Sequence, residues 1–103
     1  MSTITVTLTA TKPQTFPTGT VAGQMRFRLI SGNLPVSNKY LASAPFDAPV
    51  AFTNVADGTY AVEVQRFSSQ SGPLGSAIVA SVTVTSTPVI VDVPDTMSIE
   101  VTP

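Results

Sequence analysis

Apolar and polar residues alternate at every second position through most of this chain. In the stretch TITVTLTA, Ile4, Val6, Leu8 and Ala10 fall on one face, and four threonines fall on the other. A strand with one buried face has this period, whereas an amphipathic helix repeats every 3.6 residues. The same period recurs further along the chain, in QMRFRLI, VAFTNV, TYAVEVQRF and SAIVASVTV, and more weakly in NKYLA. The chain is therefore predicted to be all-β.

Turn-forming residues separate these segments at intervals of about 8–12 residues, a spacing that predicts a β-sandwich or barrel. The connections contain Pro13, Pro17 and Gly19, then Gly32, Asn33 and Pro35, then Pro45 and Pro49, then Asp57-Gly58, and finally SSQSGPLGS. We expect a single antiparallel β-sandwich of seven or eight strands. Its core is predicted to include Val6, Leu8, Phe27, Leu29, Phe52, Tyr60, Val62, Val64, Ile78 and Val82.

Composition excludes several classes of function. The chain has 103 residues, no histidine or cysteine, 11% charged residues and a net charge of −1. Without histidine and cysteine, the common zinc sites and the Ser-His and Cys-His nucleophile systems are excluded, so we expect no enzyme, metal or cofactor. The near-neutral charge gives no field that attracts nucleic acid or anionic membranes, so neither is an expected partner. The first residues do not form a signal peptide, which predicts folding in the cytoplasm.

The C-terminal segment, VIVDVPDTMSIEVTP, keeps one alternating phase across Pro94. Pro94 cannot donate a ladder hydrogen bond, so we expect it at an edge, a bulge or a bend between two short strands. Two interpretations remain open for residues 88–103: the segment completes a sandwich formed by residues 1–87, or it pairs with a neighbouring chain by strand addition. Its apolar positions are candidate interface residues: Val89, Val91, Val93, Met97, Ile99 and Val101.

Arg26 and Arg28 flank Phe27 in the segment QMRFRLI. The alternation predicts that Phe27 points inward and that both arginines lie on the outer face. They are expected to pair with Glu63 or Glu100 across strands, or to bind carboxylates of a partner. They are therefore also candidate interface residues.

The stretch FTNVADGTYAVEVQRF, residues 52–67, places a tyrosine just after an Asp-Gly turn. A buried tyrosine ring needs a hydrogen-bond partner for its hydroxyl, because an unpaired buried hydroxyl costs about 1–3 kcal/mol. The pattern, with Val55, Gly58 and Tyr60, resembles the tyrosine corner of immunoglobulin-like and fibronectin type III-like domains. The resemblance implies that Gly58 and Tyr60 form a structural corner. In that family two strands usually precede the QMRFRLI position, so we expect the C-terminal segment to replace the first strand.

A longer pattern, F-x-x-V-A-x-G-x-Y-x-V-x-V-x-R followed by G-x-L-G, is similar to immunoglobulin-like domains in virion proteins of tailed bacteriophages. It is carried by Phe52, Val55, Ala56, Gly58, Tyr60, Val62, Val64, Arg66, Gly72, Leu74 and Gly75. This resemblance implies a head decoration protein on the virion surface that binds the major capsid protein or another virion protein, with a homotrimer as one arrangement. The alternative is a tail or fibre module that binds a host surface glycan or receptor. Its candidate sugar-binding aromatics are Phe16, Tyr40, Phe46 and Phe67.

Overall fold

Eight strands and no helix form in the part of the chain that the computed structural model describes, residues 1–9, 16, 19, 23–42 and 46–103. The strands are β1 (Ser2–Leu8), β2 (Gly23–Ser31), β3 (Leu34–Leu41), β4 (Val50–Val55), β5 (Gly58–Ser68), β6 (Gly72–Val84), β7 (Val89–Val93) and β8 (Met97–Thr102). They form two four-stranded antiparallel sheets, which confirms the predicted all-β sandwich. The predictions for Ala10, Pro13, Pro17 and Pro45 lie outside the described residues.

Sheet A has the strand order β4-β1-β8-β7, and sheet B has the order β3-β2-β5-β6. Their inner faces meet in one apolar core, because each strand places every second side chain inward. Strand β1 shows this most clearly: Ile4, Val6 and Leu8 are at most 2% exposed, and the threonines between them are half-buried. The predicted core residues are all buried, except Tyr60 and Ile78, which are half-buried and pack against the core.

The C-terminal segment forms a hairpin within its own chain. Strand β8 lies between β1 and β7, and six residues of β1 pair with it, with Val6 opposite Ile99. The connecting turn begins at Val93, whose carbonyl accepts a hydrogen bond from the Thr96 amide at 3.0 Å. Pro94 occupies a turn position that needs no donor, and Asp95 has a φ of 56°, a left-handed conformation that aspartate tolerates. Of the expected placements for Pro94, the structure therefore shows a bend between two short strands.

A β-bulge in β4 changes which side chains face the core. Ser2 pairs with Val55 and Ile4 pairs with Phe52, so β4 has one more residue than β1 in this interval. Asn54 lies in the bulge with a φ of 56°. An extra residue moves the following side chain to the opposite face. For this reason both Phe52 and Val55 are buried, although they are three positions apart.

The hairpin of β2 and β3 is longer than the sequence indicates. The weak NKYLA segment extends to an eight-residue strand, and the turn contains only Gly32 and Asn33. The prediction that Pro35 belongs to the loop was wrong, because Pro35 lies in β3 opposite Ile30. A proline is tolerated there because β3 is the last strand of sheet B and one side of it needs no ladder donor. Similarly, the predicted fifth turn is shorter, and β6 already begins at Gly72.

Candidate docking surfaces

Tyr60 closes the connection between β4 and β5. Its hydroxyl donates a hydrogen bond to the backbone oxygen of Ala56 at 2.7 Å, four residues upstream. Gly58 has a φ of 155°, and a Cβ built at this position would lie 3.6 Å from the Tyr60 ring. The ring itself is half-buried and packs against the core. The structure thus brings Gly58 and Tyr60 together at this turn, with the tyrosine hydroxyl bonded to the backbone that precedes it.

The six apolar candidates of the C-terminal segment have two different environments. Met97, Ile99 and Val101 in β8 are 0% exposed in the core of their own chain. The interface prediction therefore does not hold for these three residues, since no partner can reach them in this fold. Val89, Val91 and Val93 are half-buried in β7, the last strand of sheet A, and pack against the edge of the core. Strand β7 is thus the part of this segment that a partner can reach.

Arg26 and Arg28 lie on the outer face of sheet B, as the alternation predicts, and they share one carboxylate. Arg28 stands directly opposite Glu63, and Arg26 stands opposite Gln65. Glu63 Oε1 lies 3.5 Å from both Arg26 Nη2 and Arg28 Nε, while Arg26 Nη2 donates a 2.7 Å hydrogen bond to Gln65 Oε1. The cross-strand partner is therefore Glu63, and Glu100 lies in the other sheet. Two guanidinium groups on one carboxylate leave this face with a positive charge.

Two aromatic rings extend this charged cluster. The Arg26 guanidinium lies over the Phe67 ring, 5.2 Å from its centroid, and the Tyr40 ring lies 5.5 Å from that of Phe67 in an edge-to-face arrangement. A cation over an aromatic face is attracted by the ring quadrupole. We call Arg26, Arg28, Tyr40, Glu63 and Phe67 the arginine–aromatic face.

The four aromatics considered for sugar binding differ in exposure. Phe46 is buried and contacts the half-buried Phe16, with ring centroids 5.5 Å apart. Phe67 is half-buried under Arg26. Tyr40 is 45% exposed. Tyr40 is therefore the aromatic of this set that offers an open ring surface to a ligand.

Exposed apolar side chains lie on strands at the ends of the sheets. Leu34 and Val36 on β3 are 72% and 55% exposed, Ile90 on β7 is 71% exposed, and Val79 on β6 is 58% exposed. Edge strands present unpaired backbone groups, and exposed apolar residues on them favour pairing with another chain. These edges are therefore candidate contact surfaces.

Charges are segregated between the sheets in the part of the chain that the structure describes. Sheet B contains Arg26, Arg28, Lys39 and Arg66, with Glu63 as its acid. The acids Asp92 and Glu100 lie in sheet A, and Asp95 lies in the turn between β7 and β8. The outer face of sheet B thus carries Arg26 and Arg28 with Glu63, and the outer face of sheet A carries Asp92 and Glu100.

Two small open clefts lie between the sheets. One cleft, of about 260 Å³, is lined by residues of β4, β2 and β3, including Phe52, Asn54 and Val36. The other, of about 190 Å³, has Met25 and Arg66 among its lining residues.

Among the described residues, no three His, Cys, Asp or Glu side chains are grouped to hold a metal ion. That same part of the chain contains no helix long and apolar enough to span a membrane.

No family model, curated protein or solved structure matches the chain.

Proposed function

We propose that this protein is a non-enzymatic structural module of a bacteriophage virion, and specifically a head decoration protein on the capsid surface. It binds the major capsid protein, or another virion protein, through noncovalent contacts after folding in the host cytoplasm. The observation that carries the proposal is the arginine–aromatic face. Arginine, tyrosine and phenylalanine are enriched at protein–protein interfaces, and hot spots commonly contain arginine and tyrosine.

The pairing order of the strands supports the resemblance to immunoglobulin-like domains. In those domains one sheet has strands A, B, E and D, and the other has C, F and G with an added C′ in the variable type. Here β8 pairs with β1, which pairs with β4, and the second sheet runs β3-β2-β5-β6. In this correspondence β8 occupies the place of strand A. The hydrogen bond from Tyr60 to Ala56 adds the corner that the resemblance implies.

The charge of the arginine–aromatic face indicates the kind of partner surface that it binds. Glu63 offsets one of the two guanidinium groups, and the side chain of Arg28 remains 25% exposed. A partner surface that presents carboxylates would therefore be attracted to Arg28, while Tyr40 supplies apolar contact area. Complementary charges at an interface mainly set the association rate and the choice of partner.

The experiment is binding of the purified chain to capsids of its own phage from which decoration has been removed. We expect saturable binding that weakens as salt is raised. Arg28→Glu should weaken binding by about tenfold or more, since it repels a carboxylate and adds a second acid beside Glu63. Thr5→Glu adds one carboxylate opposite Glu100 on the outer face of sheet A, as Arg28→Glu adds one opposite Glu63, but it removes no arginine. It is the control for the added acid and should bind like the wild-type chain. Absence of wild-type binding would overturn the proposal.

A second candidate function is a glycan- or receptor-binding module of a phage tail or fibre. Tyr40 favours it, because an exposed ring held against Phe67 can stack on the apolar face of a sugar. Adding host surface polysaccharide should then shift the Tyr40 ring signals in an NMR spectrum, and Tyr40→Ala should abolish binding. Unchanged ring signals at saturating polysaccharide would exclude this candidate at Tyr40.

A further inference from the structure

Two strands that end their sheets have opposite charge and matching exposed apolar residues. Strand β3 is the last strand of sheet B, and β7 is the last strand of sheet A. We propose that copies of this chain associate head to tail by pairing β7 of one copy with β3 of the next. The contact adds a strand to sheet B of each acceptor copy. It does not rest on the proposed role on a capsid, but it uses Tyr40 and Arg28 of the same face, so one copy cannot make both contacts at once.

Exposure of apolar side chains identifies these two edges. After Met1, Leu34 on β3 and Ile90 on β7 are the most exposed large apolar side chains among the described residues, at 72% and 71%. Val36 and Tyr40 extend the apolar part of β3. Proteins commonly protect an edge strand with charges, bulges or a covering element. Strand β3 has three such features: Pro35, the bulge beside it and Lys39. Pro35 and the bulge protect the Leu34 end, so the part of β3 open to pairing is residues 37–41, where Tyr40 is exposed.

Charge complementarity selects the partner edge. Strand β3 contains Lys39 and lies beside Arg28, whereas β7 contains Asp92 and lies beside Glu100. Two β3 edges or two β7 edges would bring like charges together, which is unfavourable. When β7 pairs with β3, Asp92 comes to the outer face that holds Arg26 and Arg28, and these opposite charges attract. The complementary contact is therefore β7 against β3.

One antiparallel register joins the exposed pair Ile90 and Tyr40 and brings opposite charges onto one face. It uses residues 37–41 of β3 and leaves Leu34 and Val36 beyond the end of β7. With Ile90 opposite Tyr40, the isoleucine would cover the exposed tyrosine ring, and Asp92 would stand opposite Asn38. Asn38 already pairs with Arg28 on its other side, so Asp92 and Arg28 would be separated by two strand spacings, about 10 Å at the backbone. Arg28, which contacts Glu63 on β5 in the free chain, would turn across β3 to meet Asp92, and Glu63 would keep Arg26. Asp92 would then supply the second carboxylate that the arginine–aromatic face lacks.

The positions of the two edges determine the kind of assembly. Strand β7 contacts β6, the strand at one side of sheet B, whereas the 260 Å³ cleft is shared by β3 and β4 at the other side. The edges β3 and β7 thus lie on opposite sides of the sandwich. A contact between two different surfaces is heterologous, and it builds open rows, or rings where the rotation closes.

The experiment is the solution mass of the purified full chain by light scattering over a range of concentrations and salt. We expect species larger than a monomer whose population rises with concentration and falls with salt. Ile90→Lys blocks β7 and Tyr40→Lys blocks β3, and each should weaken association by about tenfold or more. Ala51→Lys adds the same charge to an exposed position of β4, outside both pairing strands, and should associate like the wild-type chain.

Mixing the two blocked variants tests the head-to-tail arrangement directly. The Ile90→Lys chain retains an intact β3, and the Tyr40→Lys chain retains an intact β7. Their mixture can form one native contact, while the other contact would place two lysines together, so we expect a dimer that does not grow. A dimer would also show that both variants are folded. A wild-type chain that is monomeric at every concentration, or a mixture that stays monomeric, would overturn the proposal.

Discussion

Replacing Ile99 with alanine tests whether the C-terminal hairpin is part of the core of its own chain. Ile99 is 0% exposed and lies in β8, a strand enclosed by β1 and β7, with Val6 opposite it on one side and Val91 on the other. Because both flanking strands are held in place by their ladders, the space left by the removed carbons cannot collapse easily. We therefore expect a cavity and a loss of stability.

The size of the expected stability loss follows from the burial of Ile99. An isoleucine-to-alanine change in a core costs about 2–5 kcal/mol, and a site that is closed on both sides falls near 3 kcal/mol. For a domain of this size, 1 kcal/mol shifts the melting temperature by about 4–8 °C, so the expected loss is on the order of 15 °C. With a urea slope of about 1.5 kcal/mol/M, the midpoint would fall by about 2 M.

The same hairpin provides a matched control. Ile90→Ala removes the same atoms from β7, where Ile90 is 71% exposed, and should change the free energy of unfolding by no more than about 0.5 kcal/mol. Both variants are measured by urea unfolding at a low chain concentration, where copies are separate. A much larger loss in the free energy of unfolding for Ile99→Ala than for Ile90→Ala would show that Ile99 is buried in its own chain.

Two results would refute this reasoning. If both variants lost similar stability, Ile99 would not be in the core. If the loss for Ile99→Ala depended on chain concentration, β8 would be completing a neighbouring copy, because stability that comes from association follows mass action. An unchanged slope with a lower midpoint is the result that supports the structure.

The remaining predictions concern single contacts, each measured by urea unfolding. Tyr60→Phe removes the hydrogen bond to Ala56 and should lower the free energy of unfolding by about 0.5–1.5 kcal/mol, and an unchanged value would mean that the corner is not formed. Asn54→Ala should cost about 1 kcal/mol because alanine is strained at a φ of 56°, whereas Asn54→Gly should stay within about 0.5 kcal/mol; equal losses would contradict the bulge geometry. Glu63→Gln should cost about 1 kcal/mol by leaving two guanidinium groups without their carboxylate, with a smaller cost in high salt. Glu100→Gln, on the other sheet, is its control and should have little effect.

The alternation in the sequence predicted most of the strands and the faces of their side chains. Val6, Phe27 and Val62 are buried as predicted, because burial of one face requires period two wherever the strand is regular. The same reasoning failed at bulges, where Val55 is buried out of phase with Phe52. A bulge depends on the pairing partner and leaves little trace in local sequence.

The candidate site was only partly predictable. The two arginines were placed on the outer face correctly, but their common partner could not be chosen between Glu63 and Glu100. Strand β3 was underestimated, because an edge strand with few core contacts has a weak alternating pattern. Its exposed Leu34 and Val36 became visible only once the structure placed β3 at the end of its sheet.

Sequence alone determined the class of fold, since a period of two and frequent turn residues are local properties. It also determined that the C-terminal segment has one apolar face. Only the tertiary structure decided that this face joins the chain's own core, with Ile99 opposite Val6 more than ninety residues earlier. Several strands have the same alternation, so local pattern cannot choose among partners; mutual burial in one core makes that choice.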